Sequence, residues 1–289
     1  TPPNAVLAGI VEKTLSIRIS FGQWMLFGLP LAAVMLAICW LYLTRVTARL
    51  AGVEGAHGAQ LIDSERAALG RMTTAERRVL LVFSGVAVLW VFKGLVPIAA
   101  VNTLSDSTVA MAGALLLFVL PYGGGSKQAL LDWAAAARIP WDVLILFGGG
   151  FALAQGFQQS GLTEWIGQQL DFLRHVHWMV LVLAVALVTI FLTEVTSNTA
   201  TASMLLPIVA GLAAAAGHDA LLPMVATALA ASFAFMLPVA TPPNAIVFAS
   251  RQVTIPEMAR AGVWMNLIGI AVIGLFVILV WPLVWSAAG

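Results

Sequence analysis

The chain has 289 residues, 61% hydrophobic and only 9% charged, with a net charge of +1 and a mean hydropathy of +0.98. A soluble domain carries about 25% charged residues, so the composition excludes an ordinary soluble enzyme. The near-neutral charge gives no electrostatic case for a nucleic-acid partner. The apolar runs are long and continuous rather than alternating, which points to helices in a lipid bilayer and not to a β-barrel.

In chain order, runs long enough to span fall at about 21–44, 78–97, 105–121, 141–160, 176–195 and 257–285. The single cysteine, Cys39, lies in the first of them, so no intrachain disulfide is possible. Residues 45–77 are the extended polar segment, with Arg45, Arg49, Arg66, Arg71, Arg77 and Arg78, and read as a cytoplasmic loop. Its Thr73-Thr74-Ala75-Glu76 fits a capping box that opens the next helix. With that loop inside and the spans alternating, ten of the fourteen basic residues fall inside and four outside, and the C-terminus lies outside. Residues 161–174, with Trp165, Gln168, Gln169, Asp171 and Arg174, read as a short helix lying along the surface. Residues 200–215 are apolar but too short to cross alone. Residues 221–252 would make one long helix, but Pro238, Pro242 and Pro243 interrupt it, because an internal proline removes a backbone bond and clashes with the preceding turn. The spacing predicts two half-helices, about 221–238 and 244–252, joined by an unwound stretch.

Two polar motifs stand inside this apolar sequence: Thr193-Glu194-Val195-Thr196-Ser197-Asn198-Thr199-Ala200-Thr201 and Thr241-Pro242-Pro243-Asn244. Such groups are tolerated at membrane depth where they line a water-filled or ligand-filled cavity. The second motif also opens the chain as Thr1-Pro2-Pro3-Asn4. A shift of 240 positions carries Thr1 to Thr241, Ala5 to Ala245, Thr14 to Thr254, Gly22 to Gly262, Trp24 to Trp264 and Met25 to Met265 without a gap. The expectation is a duplicated unit, with the first copy's counterpart of residues 77–240 preceding Thr1 in the intact protein.

If 176–195 and 200–215 are the arms of a re-entrant hairpin, Ser197-Asn198-Thr199 forms its tip and Ser197 caps the second arm. Free N–H groups there favour an anion, and unwound carbonyls beside them suit a hard cation such as Na⁺. An ordinary polar contact between helices would use the same residue types, and charge counting does not separate a hairpin from two full spans. A broken helix at Thr241 exposes carbonyls on one side and amides on the other, which serves cation and anion together. Glu194 could be a proton or cation site, or could pair with an Asn or with backbone near the tip. Gly148-Gly149-Gly150 lacks the Lys and Ser/Thr of a phosphate loop and reads as close helix packing, and His175 and His177 have no further ligand at metal spacing.

Phe191-Leu192-Thr193-Glu194, Ser197-Asn198-Thr199-Ala200 and Phe235-Met236-Leu237-Pro238-Val239-Ala240-Thr241-Pro242-Pro243-Asn244-Ala245-Ile246-Val247-Phe248 together resemble the signature of the divalent anion:sodium symporter family, also called solute carrier family 13. Pro140-Trp141 and Phe147-Gly148-Gly149-Gly150 are similar too. The resemblance covers essentially the whole chain and about the C-terminal 60% of a typical member. It implies an all-α integral membrane fold, an inverted-repeat elevator transporter with a re-entrant hairpin and a broken transmembrane helix, the N-terminal part of the fold being missing here. It implies a homodimer in which 1–44, the 176–215 hairpin, the broken helix 221–252 and the last span 257–285 move, 78–160 form a static scaffold, and 161–174 is the arm between them. By that resemblance Ser197, Asn198, Thr199, Thr241 and Pro242, with Thr1 and Pro2 from the first copy, bind a substrate carboxylate. Thr193, Thr196, Asn198 and Ala240 bind a co-transported sodium, several through backbone carbonyls, while the first sodium site is incomplete, so the chain alone is not expected to transport.

The reading that follows is Na⁺-coupled symport of C4-dicarboxylates such as succinate, malate or fumarate across a bacterial inner membrane. Dicarboxylate exchange, or a tricarboxylate or sulfate cargo, would use the same scaffold. An intramembrane enzyme would have to use Ser197 or Glu194, but no His or Lys lies near Ser197 to activate it. A purely structural subunit would not need two polar helix breaks.

Overall fold

Helices whose apolar stripes find partners define the architecture. The computed structural model describes residues 1–47, 63–64, 66–92, 104–123, 126–139, 176–249, 251 and 253–286, with scattered positions between 141 and 165. The surface helix expected at 161–174, and much of the 141–160 span, lie outside the described residues. The elements are α1 (Pro2–Leu15), α2 (Phe21–Tyr42), α3 (Thr74–Phe92), α4 (Asp106–Val119), β1 (Pro121–Gly123), β2 (Ser126–Ala129), α5 (Trp133–Ala136), α6 (Trp178–Thr193), α7 (Asn198–Ala215), α8 (Leu221–Ala230), α9 (Pro242–Ala249), α10 (Ile255–Leu279) and α11 (Trp281–Ser286). Contacts group them into two units, Thr1–Thr47 with Pro140–Gly289, and Ala48–Ile139.

The first unit is built around α8. All its residues but Leu222 are buried. It packs against α6, α7, α1 and α10. Ten residues make a rod about 15 Å long, roughly half the hydrocarbon thickness of a bilayer. Ala226, Ala228 and Ala230 are fully buried, and small side chains let neighbouring backbones approach. The buried positions of α6 (Leu181, Val182, Val185, Ala186, Thr189, Ile190, Thr193) form one helical stripe, as do Pro3, Val6, Leu7, Ile10 and Val11 of α1. Behind α10, Phe27 of α2 meets the Trp281 ring edge-on at 5.3 Å and Phe276 at 6.1 Å. The outer face of α2, with Leu26, Leu29, Leu36 and Trp40, stays uncovered, which suits a helix facing lipid tails as apolar as itself. In the second unit α3 packs on α4, where Gly113 sits so close to Val86 that a Cβ would come within 2.5 Å of its methyl. The expected capping box is present there: Glu76 accepts from Thr73 N–H at 2.6 Å, and Glu76 N–H donates to the Thr73 hydroxyl at 3.2 Å.

Three features differ from the sequence reading. α7 begins at Asn198 and is thereby 18 residues long, apolar and long enough to cross a membrane, so length does not make it a half-span as expected for 200–215. Pro121–Gly123 pairs antiparallel with Ser126–Ala129, a small β-hairpin within a chain read as all-α. The helix break is longer than expected: α8 stops at Ala230 instead of 238, and α9 starts at Pro242 instead of 244. Proline at a first helical position loses no bond that a helix would have used, so α9 starts where Pro242 allows. Within the break Asn244 Nδ2 donates to the carbonyls of Ala234 (2.9 Å) and Leu237 (3.0 Å), which ties the unwound backbone to the start of α9. The backbone of Phe235 and Met236 lies directly on Gly262 of α10, where a Cβ would come within 2.3 Å of the Phe235 carbonyl oxygen. The duplicated sequence does not carry duplicated lengths, since α1 has 14 residues and α9 has 8.

Two predictions follow from this packing. Gly262→Ala forces backbone apart and is expected to cost about 1–3 kcal/mol, whereas Gly85→Ala, with open space at its Cβ in α3, should gain up to ~1 kcal/mol of helix propensity. Asn244→Ala strands the Ala234 carbonyl, takes one of two donors from Leu237, and is expected to cost about 1–3 kcal/mol. Thermal unfolding in detergent checks both, and equal melting of Gly262→Ala and Gly85→Ala would contradict the first.

Candidate functional site at the hairpin tip and the helix break

The tip between α6 and α7 is a knot of oxygens. Thr193, fully buried at the end of α6, places its hydroxyl 2.7 Å from Asn198 Oδ1 and 3.1 Å from the Ala231 carbonyl. One proton thus lies among three oxygens from α6, α7 and the end of α8. Thr196 donates to the Leu192 carbonyl at 2.8 Å and lies 2.6 Å from the Thr201 hydroxyl, which reaches the Ser197 carbonyl at 3.0 Å. Ser197 stands at the N-cap position of α7, but its hydroxyl makes no capping bond and is exposed, which corrects its expected capping role.

Glu194 settles the choice its sequence context left open. It is 2% exposed. Its Oε1 accepts from the N–H groups of Phe235 (2.8 Å) and Met236 (3.0 Å) and from Asn266 Nδ2 (2.8 Å). Its Oε2 accepts from Met236 (3.1 Å) and Leu237 (3.1 Å). Three successive amides turned toward one anion form a concave backbone cradle. Held by the carboxylate, those amides are unavailable to the carbonyls of residues 231–233, so α8 does not run on through the break.

The remaining predicted residues meet this centre from two sides. Thr241 caps α9 by accepting from Asn244 N–H at 3.3 Å, and Ala240 N–H donates to the Leu237 carbonyl at 3.1 Å. Thr1, at the start of α1, lies 3.0 Å hydroxyl to hydroxyl from Ser232, just past α8, so the first copy's motif reaches the second copy's break. Pro2 and Pro242 are exposed and Thr199 is buried. Among the described residues Ser197, Thr199, Pro2 and Pro242 make no side-chain hydrogen bond to the rest of the set. Asn266 and Thr201 are functional neighbours that the sequence reading assigned no role. An isolated Asn inside the last span was the available signal for the first. His177 accepts from Met179 N–H at 3.2 Å and so caps α6, while His175 lies outside the described residues.

Chemically, the arrangement offers two kinds of group. The first turn of α7 presents the amides of Asn198, Thr199 and Ala200, which lack intrahelical acceptors, with the positive end of the helix dipole behind them, whereas α1 and α9 open on Pro2-Pro3 and Pro242-Pro243, which carry no N–H, and offer the dipole alone. The ends of α6 and α8 present the carbonyls of Leu192 and Ala231 beside the Thr193, Thr196 and Asn198 oxygens. Neutral hard oxygens of this sort suit a cation without d-electron preferences. Among the described residues no cluster of three His, Cys, Asp or Glu exists that would favour a transition metal.

Comparison with known proteins identifies the family. Residues 1–287 match the family described as the sodium:sulfate symporter transmembrane region. The sodium-dependent dicarboxylate transporter SdcS of Staphylococcus saprophyticus subsp. saprophyticus is 42% identical over 285 residues, covering 98% of this chain and 55% of the relative. SdcS of Staphylococcus aureus strain USA300 is 43% identical over 289 residues, again covering 98% and 55%. The chain therefore spans about half the length of the relatives it matches. With a match over nearly every residue, the chain is a multi-pass membrane protein that belongs to the sodium:sulfate symporter transmembrane family.

Proposed function

We propose that this chain supplies one half of the binding site of a sodium-coupled C4-dicarboxylate transporter in a bacterial plasma membrane. The observation that carries the proposal is the oxygen cluster of Thr193, Asn198 and Ala231, where helix ends from the hairpin and the break meet around a single proton. The names of the Staphylococcus relatives support sodium and a dicarboxylate as the two cargoes.

The division of roles follows the donor types. Sodium takes oxygens of Thr193, Thr196 and Asn198 with the carbonyl of Ala240. A substrate carboxylate takes the α7-start amides and the polar side chains of Ser197, Asn198, Thr199 and Thr241, with Pro242 beside it and Thr1 and Pro2 approaching from the first copy. Binding of the cation links the tip to the break, and the joined surfaces then present donors that match a dianion. Sodium also offsets the substrate's charge during passage. Grouping of residues 1–47 with 176–286 supports a mobile transport part, although the same unit also takes in residues from 140 on, which the elevator reading gives to the scaffold. An elevator movement of that part within a homodimer belongs to the same proposal. An enzymatic role for Glu194 is disfavoured because both its oxygens are already occupied by N–H donors.

The test is succinate uptake by the full-length protein in proteoliposomes with an inward Na⁺ gradient, without it, and with internal succinate. The expected result is uptake that requires the gradient. Uptake driven by internal succinate alone would mean exchange and contradict coupling. In the same assay Asn198→Ala should lower uptake at least about tenfold, since it removes a polar group shared by both cargoes, while its melting temperature stays near the parent's.

A further inference from the structure

The division of roles above leaves Glu194 without a cargo to bind, yet four donors converge on it. It follows Thr193 directly in the chain, and its cradle, residues 235–237, lies between the Ala231 and Ala240 carbonyls. A trans peptide is planar, so fixing an N–H fixes the preceding carbonyl in the opposite direction. The Phe235 N–H is held by Glu194 while the Ala234 carbonyl of the same peptide unit is held by Asn244. Leu237 is held on both of its successive peptide units, its N–H donating to Glu194 and its carbonyl accepting from Asn244 Nδ2 and Ala240 N–H. The break is thus a braced loop and not a slack one. The brace extends into the last span: Gly262 lets the cradle backbone touch α10, and Asn266, one turn later, donates to Glu194. Among the described residues no basic group pairs with the carboxylate. Its negative charge is compensated only by dipoles and therefore still acts on its neighbours.

We propose that Glu194 is the positioning residue of the cation site: it fixes the carbonyls of the break in place and adds a fixed negative charge beside Thr193, without touching the ion. The proposal rests on the sodium site described above. Substitution should therefore change how much sodium is needed more than how fast the loaded carrier turns over. Gln cannot replace Glu here, because its amide nitrogen would face N–H donors.

The experiment is a sodium titration of succinate uptake by the full-length transporter in proteoliposomes, for the parent, E194D, E194Q and N266A. E194Q is expected to raise the half-saturating sodium concentration at least about tenfold, with the rate at saturating sodium kept within about threefold of the parent. E194D, which keeps the charge on a shorter arm, should fall between the two. N266A, which removes one donor and leaves the carboxylate, should shift the sodium requirement about threefold. A merely structural glutamate would lower the amount of folded protein, or the rate at every sodium concentration, with the half-saturation unmoved. That result overturns the proposal. If E194Q does not assemble, N266A decides by the same criterion. A parent whose uptake ignores sodium would remove the cation site itself, a failure of the functional reading that is distinct from an unmoved E194Q in a sodium-dependent parent.

Discussion

The helix break in the first unit is held by one buried carboxylate. Taking an ionised carboxylate out of water costs several kcal/mol. Glu194 meets that penalty with three backbone amides and one side-chain amide, each charge-assisted bond contributing about 1.5–3 kcal/mol. With every donor an N–H, the carboxylate is satisfied without a basic partner among the described residues. The consequence is structural. Amides at 235–237 that face a carboxylate cannot bond the carbonyls of 231–233, and the Ala231 carbonyl is left for Thr193.

The surroundings keep that break in place. α8 is buried on every side, so its end is held by α6, α7, α1 and α10 together. Glycines are used where backbone meets backbone or ring: Gly262 against Phe235 and Met236, and Gly269 against the Phe233 ring. With Asn266 between them, these positions form one stripe on α10 at helical spacing. In a bilayer, where apolar surface gains little by leaving lipid, such close packing and the hydrogen bonds it permits are what hold helices together. The His218 ring nitrogen, 2.8 Å from the Val176 carbonyl, closes the far end of the α6–α7 pair. The two helices are thus joined at both ends.

The site was legible in the sequence because its side chains are polar where their neighbours are not. Thr193, Asn198 and Thr241 announce themselves in that way, and so does the duplicated Thr-Pro-Pro-Asn. The partners of Glu194 were not legible, because backbone amides carry no residue identity. The same holds for the extent of the break: prolines mark where a helix is forbidden, but the sequence does not mark the backbone amides that a carboxylate from another segment takes up. Asn266 was visible as an amide in an apolar span, and only its turn-by-turn relation to Gly262 gives it meaning. The β-hairpin at 121–129 lies in a stretch whose Tyr122-Gly123-Gly124-Gly125 carries turn residues, a signal outweighed by the apolar run before it. The absent capping bond at Ser197 shows that a favourable residue at an N-cap position does not ensure the bond.

The most direct measurement of the central claim is backbone hydrogen exchange of the full-length protein in sodium chloride and in potassium chloride at equal ionic strength. If a sodium ion joins the hairpin tip to the helix break, exchange slows in 193–201 and 231–244 together, in sodium and not in potassium. Equal exchange in the two salts, or slowing confined to one of the segments, would contradict a cation held between them.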